Sequence, residues 1–431
     1  MIKLSYYPKL LLFLFLLAIP LNAQWLPAAG LGGTVNCFAR SGGYIFAGTI
    51  GNGVYISADG GNSWYPSNNG LTNKRIWCLS TLTLPNGTTA VYAGTIGSGI
   101  FISVDNGINW QPINAGIENS SIWAIAAVPN NSGTVNIYAG TGGEGVFFSP
   151  DNGTTWTQMN DGITDHFILS LALFKNTAGN IELFAGTGSG VFRSLNSGKT
   201  WNAVNNGLST IFFWPLALYP SGSDSYLLYA GTRGGGVFIS EDKGNSWKAY
   251  NNGLGNTSLW SLAVAKSSQG TTMVFAGTDG GGTYISTDNC RQWDVYNTGL
   301  TTKGIRSITA TDTDVFAGTD TGGWKLALSP TITGLNINKN LPTDFELNQN
   351  YPNPFNPTTT ITYRLNKSGL VSLNVFDLLG KNLASLVNEN QGPGYYSIQF
   401  SPQRYNMPSG IYFYRLSLNS ETKIKKMILL K

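Results

Sequence analysis

The sequence predicts an all-β protein: a seven-bladed β-propeller closed by an N-terminal strand, followed by a small C-terminal β-sandwich. Three observations predict it. Of 431 residues, 54 are Gly, 12% are aromatic and only 11% are charged, a balance that suits many short strands joined by tight turns. The triplet Ala-Gly-Thr starts at Ala47, Ala93, Ala139, Ala185, Ala230, Ala276 and Ala317, at successive intervals of 46, 46, 46, 45, 46 and 41 residues. A period in the forties with four short strands per unit reads as propeller blades. Beyond residue 344 the repeat is gone, and alternating strands separated by Pro and Gly turns take its place.

Residues 1–23 place Lys3 and Lys9 before an apolar run over 10–19 that is too short to span a bilayer, and Ala23 offers a cleavage point before Gln24. This reads as an export signal. No Cys near the cut suggests a lipid anchor, and no later segment reads as a membrane span. The propeller is expected over residues 24–328. Its second unit shows all four strands: IWCLSTL near Ile76, VYAGT near Val91, GIFIS near Gly99 and NWQPI near Asn109. The seventh unit has three strands, near Ile305, Val315 and Gly323, and then stops. Residues 24–30, QWLPAAG, match the segment that follows the third strand elsewhere, such as SWYPSNNG from Ser63. Trp25 is therefore predicted to bring the missing fourth strand, which closes the ring and removes two open sheet edges. Residues 329–343, with Ser329, Pro330, Gly334, Asn336, Asn338, Asn340 and Pro342, read as a linker.

Between third and fourth strands lie SADGGNSW, SVDNGINW, SPDNGTTW, SLNSGKTW, SEDKGNSW and STDNCRQW, starting at Ser57, Ser103, Ser149, Ser194, Ser240 and Ser286. The acidic position holds Asp59, Asp105, Asp151, Asn196, Asp242 and Asp288. A short carboxylate there accepts backbone N–H groups inside the turn, Gly supplies a left-handed position, and the closing Trp packs between blades. Six copies in register resemble the Asp-box, or BNR, repeat of sialidase-like and related propellers. The departures at Asn196 and Cys290 suit a structural turn better than an active site. The resemblance implies the fold and leaves the function open, since such propellers include hydrolases of sialosides and xyloglucans, sorting receptors and photosystem II assembly factors. Nothing in the chain matches the arginine triad and Tyr–Glu pair of sialidases residue by residue.

The C-terminal strings YPNPFNP at Tyr351, GLVSLNVFDLLGK at Gly369, GYYSIQF at Gly394, SGIYFYRLSL at Ser409 and KIKKMILLK at Lys423 resemble the type A C-terminal sorting domain of the type IX secretion system. Asn366 stands where that family usually has Pro. The resemblance implies that residues 344–431 engage the secretion machinery, carry the protein across the outer membrane and leave it on the cell surface or in the medium.

Strand arithmetic puts the boxes on one face of the propeller and the Ala-Gly-Thr turns and inter-blade loops on the other, which is where a ligand is expected. At the start of the innermost strand, equivalent positions hold Trp77, Trp123, Trp214 and Trp260, with Asn36, Leu169 and Arg306 in the remaining three units. These rings either pack between blades or reach the channel mouth, where they would stack on sugars or aromatic side chains. Loops of the same face add Arg233, Lys74, Arg75 and Lys303, and also Asp279 and Asp320. Glu118, Glu144 and Asp165 cluster in the loops around the third unit beside His166, the only His, and a pair of them at suitable separation would serve as acid and base in glycoside hydrolysis.

Other chemistry finds little support. Net charge is +4 with scattered Lys and Arg, so no nucleic-acid footprint appears. One His and three Cys are too few for a zinc site, no cofactor motif is present, and the Gly-rich turns lack the helix that a phosphate loop needs. Cys37 and Cys78 occupy the same position in neighbouring units, as a disulfide or as small buried residues. The combined expectation is an exported surface or secreted propeller acting as a binding or scaffold module. The alternative is a secreted glycoside hydrolase, sialidase- or xyloglucanase-like, using Glu144, Asp165 and Glu118.

Overall fold

The computed structural model describes residues 24–84, 87–117, 120–130, 132–209, 212–266, 270–328, 344–350, 352–367, 369–391, 394–405 and 407–430. The expected export signal, Glu118 and the expected linker lie outside the described residues.

Seven four-stranded antiparallel sheets follow one another along the chain. Blade one pairs Val35–Ser41, Tyr44–Thr49, Gly53–Ser57 and Tyr65–Pro66 in that order, and blade two repeats it with Ile76–Thr83, Thr89–Thr95, Ile100–Ser103 and Gln111–Pro112. The innermost strands of blades three to six are Ile122–Pro129, Ile168–Lys175, Phe213–Pro220 and Leu259–Lys266. Blade seven joins Ser307–Ala310, Asp314–Thr319 and Gly322–Ala327 to Leu26–Gly32, with Leu26 opposite Lys325. The N-terminal strand thus completes the last blade. Innermost strands touch in cyclic order, and that of blade seven returns to that of blade one.

The Ala-Gly-Thr triplet has a physical reason at each letter. Ala93 is fully buried, as are its counterparts. A side chain on Gly94 would come within 2.5 Å of the Cys78 sulfur and 2.9 Å of Ile122 Cγ2 in the next blade, so Gly lets neighbouring sheets approach. Thr95 Oγ1 donates across the turn to the Gly99 carbonyl at 2.8 Å, and Thr49, Thr141, Thr187, Thr232, Thr278 and Thr319 do the same in their blades. A second device, unforeseen from the sequence, sits four residues after each closing Trp. Asn68 Oδ1 accepts the Val54 N–H at 2.8 Å, and Asn114, Asn160, Asn205, Asn251 and Asn297 repeat the clamp. Blade seven has Ala29 at that place.

The box turns are closed by their own polar atoms. Asp151 Oδ1 accepts the Ser149 hydroxyl at 2.8 Å and the Thr155 N–H at 2.9 Å, while Oδ2 accepts the Thr155 hydroxyl at 2.7 Å. Asn196 keeps the same Oδ1 contacts, to Ser194 and Thr200, and reverses the third by donating from Nδ2 to Thr200 Oγ1 at 2.9 Å. Asn152 sits at φ 61° and Gly153 at φ 88°, and Cys290 takes the corresponding left-handed position at φ 63°. In blades one to six the fourth strands are shorter than the sequence suggests, two residues each. Trp110 does not join its strand because its backbone N–H donates to Asn69 O of the preceding blade at 2.8 Å.

Residues 344–430 form two further sheets. One orders Glu346–Leu347, Thr359–Leu365 and Gly394–Phe400; the other orders Asn382–Gln391, Gly369–Phe376, Gly410–Leu418 and Glu421–Leu429. Their inward residues, among them Ile361, Tyr363, Leu373, Tyr414 and Leu416, share one core, which makes the pair a β-sandwich. Among the described residues no helix is long and apolar enough to cross a membrane.

Candidate functional site

The start of each innermost strand opens on the face carrying the Ala-Gly-Thr turns, and there the structure has a cavity of about 320 Å³. Trp77, Trp123, Trp214 and Trp260 all line it, together with Asn36, Leu169 and Arg306. All seven repeat positions therefore meet at one mouth. The four indoles are half-buried there.

The rings do not form an open circle. Trp77 stacks on Trp123 with centroids 5.5 Å apart and planes at 24°, and on its other side meets Trp214 at 6.4 Å. The second contact crosses the mouth from blade two to blade five. Phe167 extends the row beyond Trp123 at 6.0 Å, and Phe212 extends it beyond Trp214 at 6.3 Å. A five-ring aromatic wall results. Trp123 lies flat over the blade-three turn because its neighbour is Gly142, where a Cβ would come within 2.7 Å of the indole. Trp260 stands apart from this wall. The Arg306 guanidinium sits 5.0 Å from its ring centroid and is held there by an ion pair with Asp320.

Opposite the aromatic wall the cavity deepens toward blades six, seven and one, where Ser261, Ser307 and Cys37 form part of its floor. Ser261 Oγ reaches Ile305 O at 3.4 Å and Ser307 Oγ reaches Val35 O at 3.5 Å, each tying one blade to the next. Asn36 Nδ2 donates to Trp77 O at 2.8 Å across the same kind of boundary. The floor residues share a repeat position with Cys37 and Cys78, the one signal in the sequence that would have found them.

Both cysteines line the mouth and are free thiols, so the disulfide is not formed. Burial pushes the Cys78 thiol up to about 12, and burial with the neighbouring Cys78 pushes Cys37 well above its usual value. Both are protonated at neutral pH.

Arg233 lines the cavity from the blade-five turn and is exposed. Lys74, Arg75, Lys303 and Asp279 are also exposed but do not line it. Glu144 accepts the Ser120 hydroxyl at 2.8 Å, and Asp165 accepts the Phe167 N–H at 3.0 Å and the Ser189 hydroxyl at 2.8 Å. These two carboxylates belong to loop clamps around blades three and four and lie outside the cavity lining. His166 is exposed nearby. Among the described residues no cluster of three His, Cys, Asp or Glu side chains is placed to hold a metal.

No curated protein sequence matches the chain. Among solved structures, the extracellular domain of the hybrid two-component system BT3049 from B. thetaiotaomicron superposes with a TM-score of 0.56 at 16% identity, covering 94% of this chain and 57% of that one. An ancestral GH74 enzyme gives 0.56 at 18% identity, covering 94% of this chain and 63% of that one. YCF48 bound to D1 peptide gives 0.52 at 16% identity over 70% of this chain and 96% of that one. The chain thus spans less than two thirds of the length of the first two, and at these identities the likeness is one of fold, the β-propeller. Residues 349–430 match the family of secretion system C-terminal sorting domains. The chain therefore ends in a type IX sorting domain, and the propeller it carries is delivered to the cell surface or the extracellular space.

Proposed function

We propose that this protein is a surface or secreted binding module whose ligand enters the propeller mouth. One observation carries the reading: four half-buried Trp side chains converge on a single cavity, and none of their indole N–H groups has a hydrogen-bond partner among the described residues, so these donors are open to a ligand. Trp77, Trp123, Trp214 and Trp260 are the contact residues, with Arg233 and Arg306 at the rim. Residues 1–23 serve as the export signal, residues 24–328 as an Asp-box propeller, 329–343 as the linker and 344–431 as the segment that engages the secretion machinery. The hydrolase alternative is less well supported, because Glu144 and Asp165 are engaged by Ser hydroxyls outside the cavity.

The test is retention of the secreted protein on a panel of immobilised polysaccharides and peptides. Trp123→Ala with Trp214→Ala is expected to abolish retention while the thermal midpoint stays near that of the unaltered protein. Unchanged retention would remove the mouth from the binding account.

A further inference from the structure

We infer that the mouth takes an acidic sugar, a glycan unit bearing a carboxylate of the hexuronate type, with the carboxylate directed to Arg233. The inference rests on the mouth being the binding site and names what it binds.

The two walls of the cavity differ in kind. On one side Trp77, Trp123 and Trp214 form one aromatic cluster, with Trp77 between the other two. A pyranose ring has one face of C–H groups that packs against such an apolar cluster, and its hydroxyl oxygens accept from indole N–H groups. The opposite wall carries the charge. Arg233, Trp260 and Arg306 come from consecutive blades five, six and seven, so the blade of the isolated indole lies between the two that bring arginines to the cavity.

The charge balance then selects the ligand. Among the described residues, the two charged side chains lining the cavity are arginines and no carboxylate lines it. Trimethylammonium and other cations, which aromatic cages otherwise suit, are disfavoured by that field. Arg306 is already committed, paired to Asp320 and laid over Trp260. Arg233 is exposed at the rim and makes no ion pair among the described residues, so its positive charge is available to a ligand. A cavity of about 320 Å³ lies at the small end of ligand sites, roughly 300–1,000 Å³, which suits one or two sugar rings. A carboxylate on the sugar would receive the two parallel N–H groups that a guanidinium offers.

The experiment measures the affinity of the secreted protein for short oligogalacturonate, oligoglucuronate and oligomannuronate, each beside the same oligosaccharide with its carboxylates reduced to alcohols. The expected result is that at least one acidic form binds about tenfold tighter than its reduced partner at low salt, with the advantage shrinking as salt rises. Arg233→Gln is expected to bring the two affinities together, whereas Lys74→Gln, on the same face but outside the cavity, leaves their ratio unchanged. Equal binding of acidic and reduced forms would overturn the acidic-sugar inference and leave the mouth a neutral-sugar site. Binding of neither form would overturn the inference, and retention of an acidic peptide by the same Trp residues would then keep the mouth as the binding site.

Discussion

The closing tryptophans of the boxes and the tryptophans of the mouth recur at the same period, and the fold treats them oppositely. Trp110 is 5% exposed, and its indole N–H donates to Ser67 O of the preceding blade at 2.9 Å. Trp156, Trp201, Trp247, Trp293 and Trp25 make the same bond, each to the carbonyl three residues beyond the previous closing Trp. These six indoles interlock adjacent sheets. At the mouth, Trp77, Trp123, Trp214 and Trp260 are half-buried, their N–H groups have no partner among the described residues, and their ring neighbours are each other, Phe167, Phe212 or an arginine. The contrast shows that recurrence alone does not mark function: six indoles of the closing positions give their N–H to the adjacent blade, and the four at the mouth give theirs to no partner among the described residues.

Replacing one ring from each set should give the largest contrast. Trp110→Ala removes a buried indole and strands the Ser67 carbonyl, and is expected to cost about 3–5 kcal/mol in chemical denaturation. Trp123→Ala, at a half-open site, is expected to cost about 1 kcal/mol or less while ligand retention is lost. Equal destabilisation by the two would dissolve the distinction.

A finer break in the pattern occurs within the interlocking set. Trp64 is 4% exposed, yet its N–H has no partner. The carbonyl that the pattern assigns to it belongs to Ala28, beside the irregular register between Pro27 and Gly32. The same seam has Ala29 in place of the Asn clamp. Trp110→Phe should therefore cost about 1 kcal/mol more than Trp64→Phe, the worth of one interlocking hydrogen bond. The seam between blades seven and one is expected to lose amide protection first in hydrogen exchange.

The box carboxylates give a pH dependence that the mouth does not. The Ser63 hydroxyl and N–H, with the Ser57 hydroxyl, hold Asp59 well below the usual carboxylate range. Thr155 does the same for Asp151. For Asp105 and Asp242 burial works in the opposite direction, and the combined hydrogen bonds outweigh it. Because these folded-state values are depressed, the unfolded chain binds more protons in acid. The contribution is complete above about pH 5 and is lost as pH falls through the unfolded and then the folded values. The thermal midpoint should be flat from neutrality to about pH 5 and then decline. A protein with Asn at positions 59, 105, 151 and 242 should decline less steeply, since Asn196 shows that the amide keeps the turn. The smallest expected effect is that of a single exchange, with Asp105→Asn nearly neutral at pH 7 and Asp105→Ala costing about 1 kcal/mol.

Much of this architecture was legible in the sequence because the repeat supplies its own register. The spacing of Ala-Gly-Thr counted seven blades, the match of QWLPAAG to SWYPSNNG closed the ring through Trp25, and the alignment of strand starts named all seven residues that meet at the mouth. What the spacing did not carry was side-chain direction. That Trp77 reaches Trp214 across the channel, or that Asp320 holds Arg306 over Trp260, depends on rotamers and on contacts between blades distant in the chain. The engagement of Glu144 by Ser120 was hidden for the same reason, since a carboxylate in a loop has no periodic partner.

Trp77 is the ring on which the account turns, since it touches both Trp123 and Trp214 and joins the two halves of the aromatic wall. The decisive measurement is the thermal midpoint and the affinity for an oligosaccharide retained by the unaltered protein, both determined on Trp77→Ala. The expected result is a midpoint within a few degrees of the unaltered protein and an affinity lower by about tenfold or more. A large fall in the midpoint with affinity retained in the folded fraction would place Trp77 with the interlocking tryptophans and contradict it.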